Sequence, residues 1–178
     1  MKNSIIIPTT VLLFTAFLVL VLTTGCKIYS FNDVGTIDEG ARTARVQTLE
    51  NRAQYVNPQL SPQLTDRLKQ KITSQTRLAS TSSDNAHYDI SGYISQYNVT
   101  TAGVSADQGR QQTSINRLTV TVHIVLTRQL VNKTEEFDVS RSFDFGANQS
   151  LQAAEAGLID EIIKNLTDEI FNRIFSNW

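Results

Sequence analysis

Cysteine is almost missing from this chain: Cys26 is the only one. A single thiol has no intrachain partner, so no disulfide framework holds the fold and the chemistry of Cys26 lies elsewhere. Proline and glycine are scarce, at 3 and 8 residues, which argues against a long disordered linker. Neither sign of charge dominates: 16 Lys+Arg stand against 17 Asp+Glu, for a formal net charge of −1. A nucleic-acid binder would carry a marked basic surplus. The two histidines, His87 and His123, have no Cys, Asp or Glu at metal-ligand spacing and read as surface or edge residues. There is no G-x-S-x-G elbow and no Gly-rich phosphate loop. The pair Glu135-Glu136 sits at a strand start, where solvated charges are common. These absences argue against an enzyme.

What is present begins with an apolar run. Lys2 supplies a minimal positive region and Val11 to Leu22 an apolar core of about a dozen residues, the length of a secretion signal. Counted from Ile5, the run approaches the roughly 18 residues of a spanning helix, but Pro8 and several Thr residues weaken that reading. Leu22-Thr23-Thr24-Gly25-Cys26 then resembles the lipobox of a bacterial lipoprotein, with Thr23 where Leu is usual. That resemblance implies cleavage between Gly25 and Cys26, a thioether-linked diacylglycerol on the Cys26 sulfur and an N-acyl chain on the new terminus. The alternative is an uncleaved membrane anchor with an inert thiol. Lys27 follows where Asp would favour inner-membrane retention, so the implied address is the periplasmic side of the outer membrane. The expected organisation is a lipoprotein signal peptide over 1–25, a lipidated N-terminus and tether over 26–40, and a single α+β domain over 41–178.

Lys27 to Asp33 is read as a short strand or an ordered tether, and Asp38 to Gly40 as a turn. Ala44, Val46 and Thr48 form one face of a strand ending near Asn51. Asn57-Pro58 and Ser61-Pro62 each offer a helix start, after which Leu60, Leu64, Leu68 and Ile72 make a narrow apolar stripe. Arg67, Lys69, Lys71 and Arg77 fall on or near its solvent side, either as a solvated face or as a contact for lipid phosphates or an acidic partner. Tyr88, Ile90 and Ile94 alternate with Asp89, Ser91 and Ser95 as a half-buried strand carried on through Tyr97 and Val99. Thr101 to Gln112 reads as a long hairpin tip. Leu118, Val120, Val122, Ile124 and Leu126 point one way from the clearest strand, and Thr119, Thr121, His123 and Thr127 the other. Asn132-Lys133 is a turn, and Phe137, Val139, Phe143 and Phe145 mark a third alternating strand that Arg141 interrupts. Gly146 ends the sheet, Ser150 caps a helix, and a wide stripe from Leu151 to Phe175 covers the sheet. The expected fold is an α+β two-layer sandwich: a mostly antiparallel sheet of about four strands, with two helices on one face and a polar, Thr- and Ser-rich face left bare.

A family resemblance rests on several stretches. Leu49-Glu50-Asn51-Arg52-Ala53 is followed by Val56-Asn57-Pro58, then by Leu64 to Lys69 and Ser74 to Leu78. Gly92 to Thr100 and Asn116 to Val122 come later, and the chain closes on Ile170-Phe171-Asn172-Arg173 and Asn177-Trp178. Together with the lipobox, this pattern resembles the lipopolysaccharide-assembly outer-membrane lipoprotein family (LptE-like) over nearly all of the mature chain. The resemblance implies a non-enzymatic role without a cofactor. The lipoprotein plugs and helps assemble an LptD-type β-barrel and assists lipopolysaccharide transport to the outer leaflet. Candidate barrel contacts are Ser91, Ser95, Thr119, Thr121 and His123, with the tip from Thr101 to Gln112. Candidate lipopolysaccharide contacts are Arg117, Arg128, Lys133 and Arg141, which would meet phosphates through charge-assisted hydrogen bonds. The alternative functions are a periplasmic lipid- or glycan-binding lipoprotein that needs no barrel and, as a weaker option, a hydrolase of envelope polymers.

Overall fold

The computed structural model describes residues 37–104 and 114–176. In chain order come β1 (Thr43–Val46), β2 (Glu50–Asn51), α1 (Leu60–Gln75), β3 (Ala79–Ser80), β4 (Tyr88–Val104), β5 (Ser114–Arg128), a 3-10 turn (Gln129–Val131), β6 (Lys133–Gly146) and α2 (Leu151–Phe175). Among the described residues the class is α+β with two helices, as expected, but the sheet differs. It holds six strands in the order β3-β1-β4-β5-β6, with β2 also on β4. It is mixed: β1 runs parallel to β3 and β4, and β2 parallel to β4, while β4, β5 and β6 are antiparallel. The expectation of about four mostly antiparallel strands missed β2 and β3 because each spans two residues, too few to display a period of two. It missed the parallel pairing because α1 serves as the crossover that lets β1 and β4 run the same way.

The first strand is also shorter than its pattern suggested. It stops at Val46, and Thr48 is exposed. The chain leaves the edge of β4, drives Leu49 fully into the core, and returns as β2. Backbone bonds from Gln47 to Ile90 and from Arg52 to Ile94 keep it on that edge. The Leu49 amide, off the ladder, donates to Thr65 Oγ1 at 3.1 Å, so a buried donor is not orphaned.

One sheet face carries the core. Leu118, Val120, Val122, Ile124 and Leu126 of β5 are all buried, with Ile90 and Ile94 of β4 and Val139, Phe143 and Phe145 of β6. β4 holds this face through a register shift. Ile94 pairs with Val122 and Gln96 with Thr121, leaving Ser95 as the extra residue of a β-bulge. The bulge turns Tyr97 inward, three positions after Ile94. Gly92 permits the close approach of β5: a Cβ there would lie 2.1 Å from the His123 carbonyl oxygen.

Both helices cover this face and pack on each other. Leu60, Leu64, Leu68 and Ile72 of α1 are at most 1% exposed, and full burial of such a side chain contributes about 1.5–3 kcal/mol. The helix begins between its two candidate starts. Asn57 Oδ1 accepts from the Gln59 amide at 2.9 Å, and Pro62 falls within the first turn, where a missing N–H costs nothing. α2 starts at Ser150, whose Oγ accepts from the Ala153 amide at 3.3 Å. Its stripe buries Ala154, Ile162, Ile163, Leu166, Ile170, Phe171 and Phe175. The expected turns at Asp38–Gly40 and at Asn132 are present, with Gly40 at φ 87° and Asn132 at φ 49°. Cys26, the lipobox, the segment Lys27 to Asp33 and most of the hairpin tip lie outside the described residues.

Candidate binding surfaces

The sheet face away from the helices carries no further layer among the described residues. Cross-strand pairs tile it from one end to the other. Arg117 binds both oxygens of Asp144, at 2.7 and 2.8 Å, and holds that carboxyl below the usual carboxylate range. Thr119 meets Ser142 at 2.9 Å, and Thr121 meets Ser140 at 3.0 Å and Gln96 at 3.3 Å. His123 Nδ1 lies 2.8 Å from Asp138, with Glu136 3.7 Å from the other ring nitrogen. Thr127 meets Thr134 at 3.3 Å. Beside this ladder the Tyr93 ring lies 5.1 Å from His123, and the Arg52 guanidinium stacks on Tyr93 at 4.4 Å. Such pairs contribute about 0.2–1 kcal/mol each, so the face is ordered by its own side chains. The five residues expected as barrel contacts all fall on it. Ser91 and His123 project from it by register, Ser95 donates to the Thr121 carbonyl at 3.3 Å, and Thr119 and Thr121 belong to the ladder.

The four cations expected to meet lipopolysaccharide are not brought together. Arg117 lies on the bare face near the hairpin end. Arg128, at the other end of β5, is held by Asp38 at 3.3 Å and Glu135 at 3.1 Å. Lys133 pairs with Glu135 at 2.8 Å and is the main cause of that carboxyl's lowered pKa. Arg141 turns to the helix side and binds Glu169 of α2. His87 is structural: its Nδ1 accepts from the backbone amides of Arg42 and Thr43, at 3.0 and 3.3 Å, where β1 begins. Among the described residues, no group of three or more His, Cys, Asp or Glu side chains is placed to hold a metal ion.

Two features were missed by the sequence reading. Glu155 sits on the apolar stripe of α2, 8% exposed. It accepts from Tyr97 at 2.6 Å and Tyr55 at 3.1 Å, whose rings stack at 5.4 Å. Burial, then the neighbouring carboxylate, pushes both phenols above their ordinary pKa, so both remain donors. A carboxylate next to Ala154 on an apolar stripe was the available signal. The second feature is a cleft of about 520 Å³ between α1 and α2, bordered by Arg67, Gln70, Lys71, Lys164, Thr167 and Asp168, among others. Neither histidine borders it, so it offers nothing to the hydrolase reading.

The family model for lipopolysaccharide assembly, LptE, matches residues 41–174, the whole of the sheet and nearly all of α2. The chain belongs to the LptE family. None of the curated proteins matches it. Among solved structures, a putative neuraminyllactose-binding hemagglutinin homolog from Helicobacter pylori is similar at 8% identity and a TM-score of 0.51, covering 79% of this chain and 84% of that one. A minor lipoprotein from Acinetobacter baumannii shares 16% identity over 76% and 96% of the two chains, with a TM-score of 0.45. Lipoprotein GNA1162 from Neisseria meningitidis shares 12% over 74% and 99%, with a TM-score of 0.39. At these identities the Helicobacter likeness concerns the fold alone. Membership in the LptE family gives this chain a role in lipopolysaccharide assembly.

Proposed function

We propose that this LptE-family chain is a lipid-anchored lipoprotein of the outer membrane that seats its bare sheet face inside an LptD-type β-barrel. From there it assists the barrel's assembly and the passage of lipopolysaccharide to the outer leaflet. The observation that carries this reading is the polar ladder from Arg117–Asp144 through Thr119–Ser142 and Thr121–Ser140 to His123–Asp138. A large barrel's lumen is polar and wet, and a surface of hydroxyls and paired charges sits beside such a wall without desolvating an unpaired ion. The acyl chains on Cys26 supply the anchor; more than one chain makes attachment stable. No step of this role calls for a nucleophile or a general base. The alternative, a free-standing lipid or glycan carrier, called for a concave apolar pocket, whereas the cleft between the helices is bordered by charged and polar side chains.

The test is site-specific photocrosslinking in cells, with a photoreactive residue at Ser95, Thr119 or Thr121, and at Asp160 on the exposed side of α2. The sheet positions should capture a large heat-modifiable barrel protein, and position 160 should not. Equal capture from both sides, or recovery of the lipoprotein alone in a mild-detergent pull-down at native expression, overturns the reading.

A further inference from the structure

Most cations of the described domain are neutralised. Arg45 is bound by Asp84 and Asp89, Arg52 by Glu50, Arg117 by Asp144, Arg128 by Asp38 and Glu135, Lys133 by Glu135 and Arg141 by Glu169. Arg67 and Lys164, like Arg42, Lys69, Arg77 and Arg173, make no ion pair among the described residues. They come from different helices, yet they border the same cleft. Lys71, one turn along α1 from Arg67, joins them there. Its Nζ lies 2.8 Å from Asp168 and 5.1 Å from the centre of the Phe171 ring. An ammonium group has three donors, so the bond to Asp168 fixes the head of Lys71 and leaves two of them for a ligand. Thr167 also borders the cleft. It is 1% exposed, and its hydroxyl has no hydrogen-bond partner, an uncommon state for a buried polar atom.

We propose that the cleft between α1 and α2 is a binding site for a phosphate group, held by Arg67, Lys71 and Lys164 with the Thr167 hydroxyl as a further donor. Three cations against the single carboxylate of Asp168 leave an uncompensated positive charge. Guanidinium and ammonium groups facing one volume give the charge-assisted hydrogen bonds that a tetrahedral anion accepts. The site lies on the helix layer and is independent of the sheet face, so it stands or falls apart from the barrel reading. Lys69 of the same helix and Arg77 just past its end do not border the cleft and provide an internal control.

The experiment uses the full lipidated chain in a nonionic detergent. Its thermal unfolding and calorimetric titration are compared for inorganic phosphate, for chloride at equal ionic strength, and for dihexanoyl phosphatidic acid against dihexanoyl phosphatidylcholine. Phosphate should raise the unfolding temperature above the chloride control. The Arg67→Gln/Lys164→Gln variant should weaken binding at least about tenfold, the loss of roughly one charged hydrogen bond, whereas Lys69→Gln/Arg77→Gln should leave it within about twofold. Thr167→Val tests the hydroxyl with little change of shape and should weaken binding severalfold. A response to inorganic phosphate identifies a free anion as sufficient, and a response to phosphatidic acid alone identifies a lipid headgroup; either supports the site. No response to any phosphate, or equal losses in the two double variants, overturns it.

Discussion

Removing the Glu155 carboxylate should destabilise the domain by about 3 kcal/mol. The carboxylate ties α2 to two tyrosines, Tyr97 from the far half of β4 and Tyr55 from the segment before α1. A hydrogen bond to a charged group contributes about 1.5–3 kcal/mol net. The Tyr97 bond, at 2.6 Å to a residue 2% exposed, deserves the upper part of that range, because no water can take the place of the lost acceptor. Tyr55 is half-buried and recovers solvent when its 3.1 Å bond is lost, so it adds little. Glu155→Ala therefore loses about 3 kcal/mol, against a typical domain stability of about 5–15 kcal/mol. Glu155→Gln should fall between, since an amide keeps one accepting oxygen and replaces the other with a donor that faces a second donor. Urea unfolding of the full chain in nonionic detergent, followed by far-ultraviolet circular dichroism, gives the values by linear extrapolation. Adding Tyr97→Phe closes a double-mutant cycle, whose coupling should exceed about 1 kcal/mol. A Glu155→Ala loss below about 0.5 kcal/mol, or strict additivity in the cycle, refutes the view that this buried carboxylate clamps the helix to the sheet.

Three further outcomes are expected. Gly92→Ala places a methyl 2.1 Å from the His123 carbonyl oxygen and should cost about 1–3 kcal/mol through forced separation of β4 and β5; an unchanged urea midpoint contradicts the close approach. Arg45 donates to both oxygens of Asp89, at 2.8 and 2.7 Å, and lowers that carboxyl's pKa. Its stabilisation should be complete above the ordinary Asp value of about 3.9 and fade as pH falls through the depressed folded value. Asp89→Asn should accordingly flatten the acid limb of the stability–pH curve below about pH 4, and a parallel limb counts against the pair. Cys26→Ala should abolish labelling with a radioactive fatty acid and release the protein from membranes; persistent attachment favours an uncleaved anchor helix.

How much of this was legible follows from side-chain period. β5 and β6 were readable because each runs for more than a dozen residues between a core and a bare face, so apolar and polar positions alternate. Arg141 broke that alternation in β6, and the structure explains it as an edge position bound to Glu169. β4 was harder. Ile94 and Tyr97 are both buried although three apart, and a strict alternation cannot hold both. That mismatch is the trace of the bulge at Ser95 and could have been read as one. β2 and β3 carried no such trace, since two residues on the edge of a sheet are selected by a backbone partner more than by their side chains.

The sites divide in the same way. Ser91, Ser95, Thr119, Thr121 and His123 could be assigned to one face because parity alone decides which side of a sheet a residue takes. Parity cannot say which charges meet. Arg128 and Arg141 looked available in the sequence, and each has a carboxylate within reach only because a turn and a helix bring Asp38 and Glu169 to them, while Lys133 pairs with Glu135 two places along its own strand. The converse holds on and just after α1, where Arg67, Lys69, Lys71 and Arg77 could not be told apart in the sequence and the packing of α2 separates them. Arg67 and Lys71 face a cleft shared with Lys164, and Lys69 and Arg77 do not. A guanidinium whose fork is already taken by carboxylates brings little to a new partner, whereas the single bond from Lys71 to Asp168 leaves two of its three donors open. The cations placed to share one phosphate are therefore Arg67, Lys71 and Lys164 at the cleft between the helices, while the sheet face, with its charges and hydroxyls already matched, is suited to lie against a wet wall.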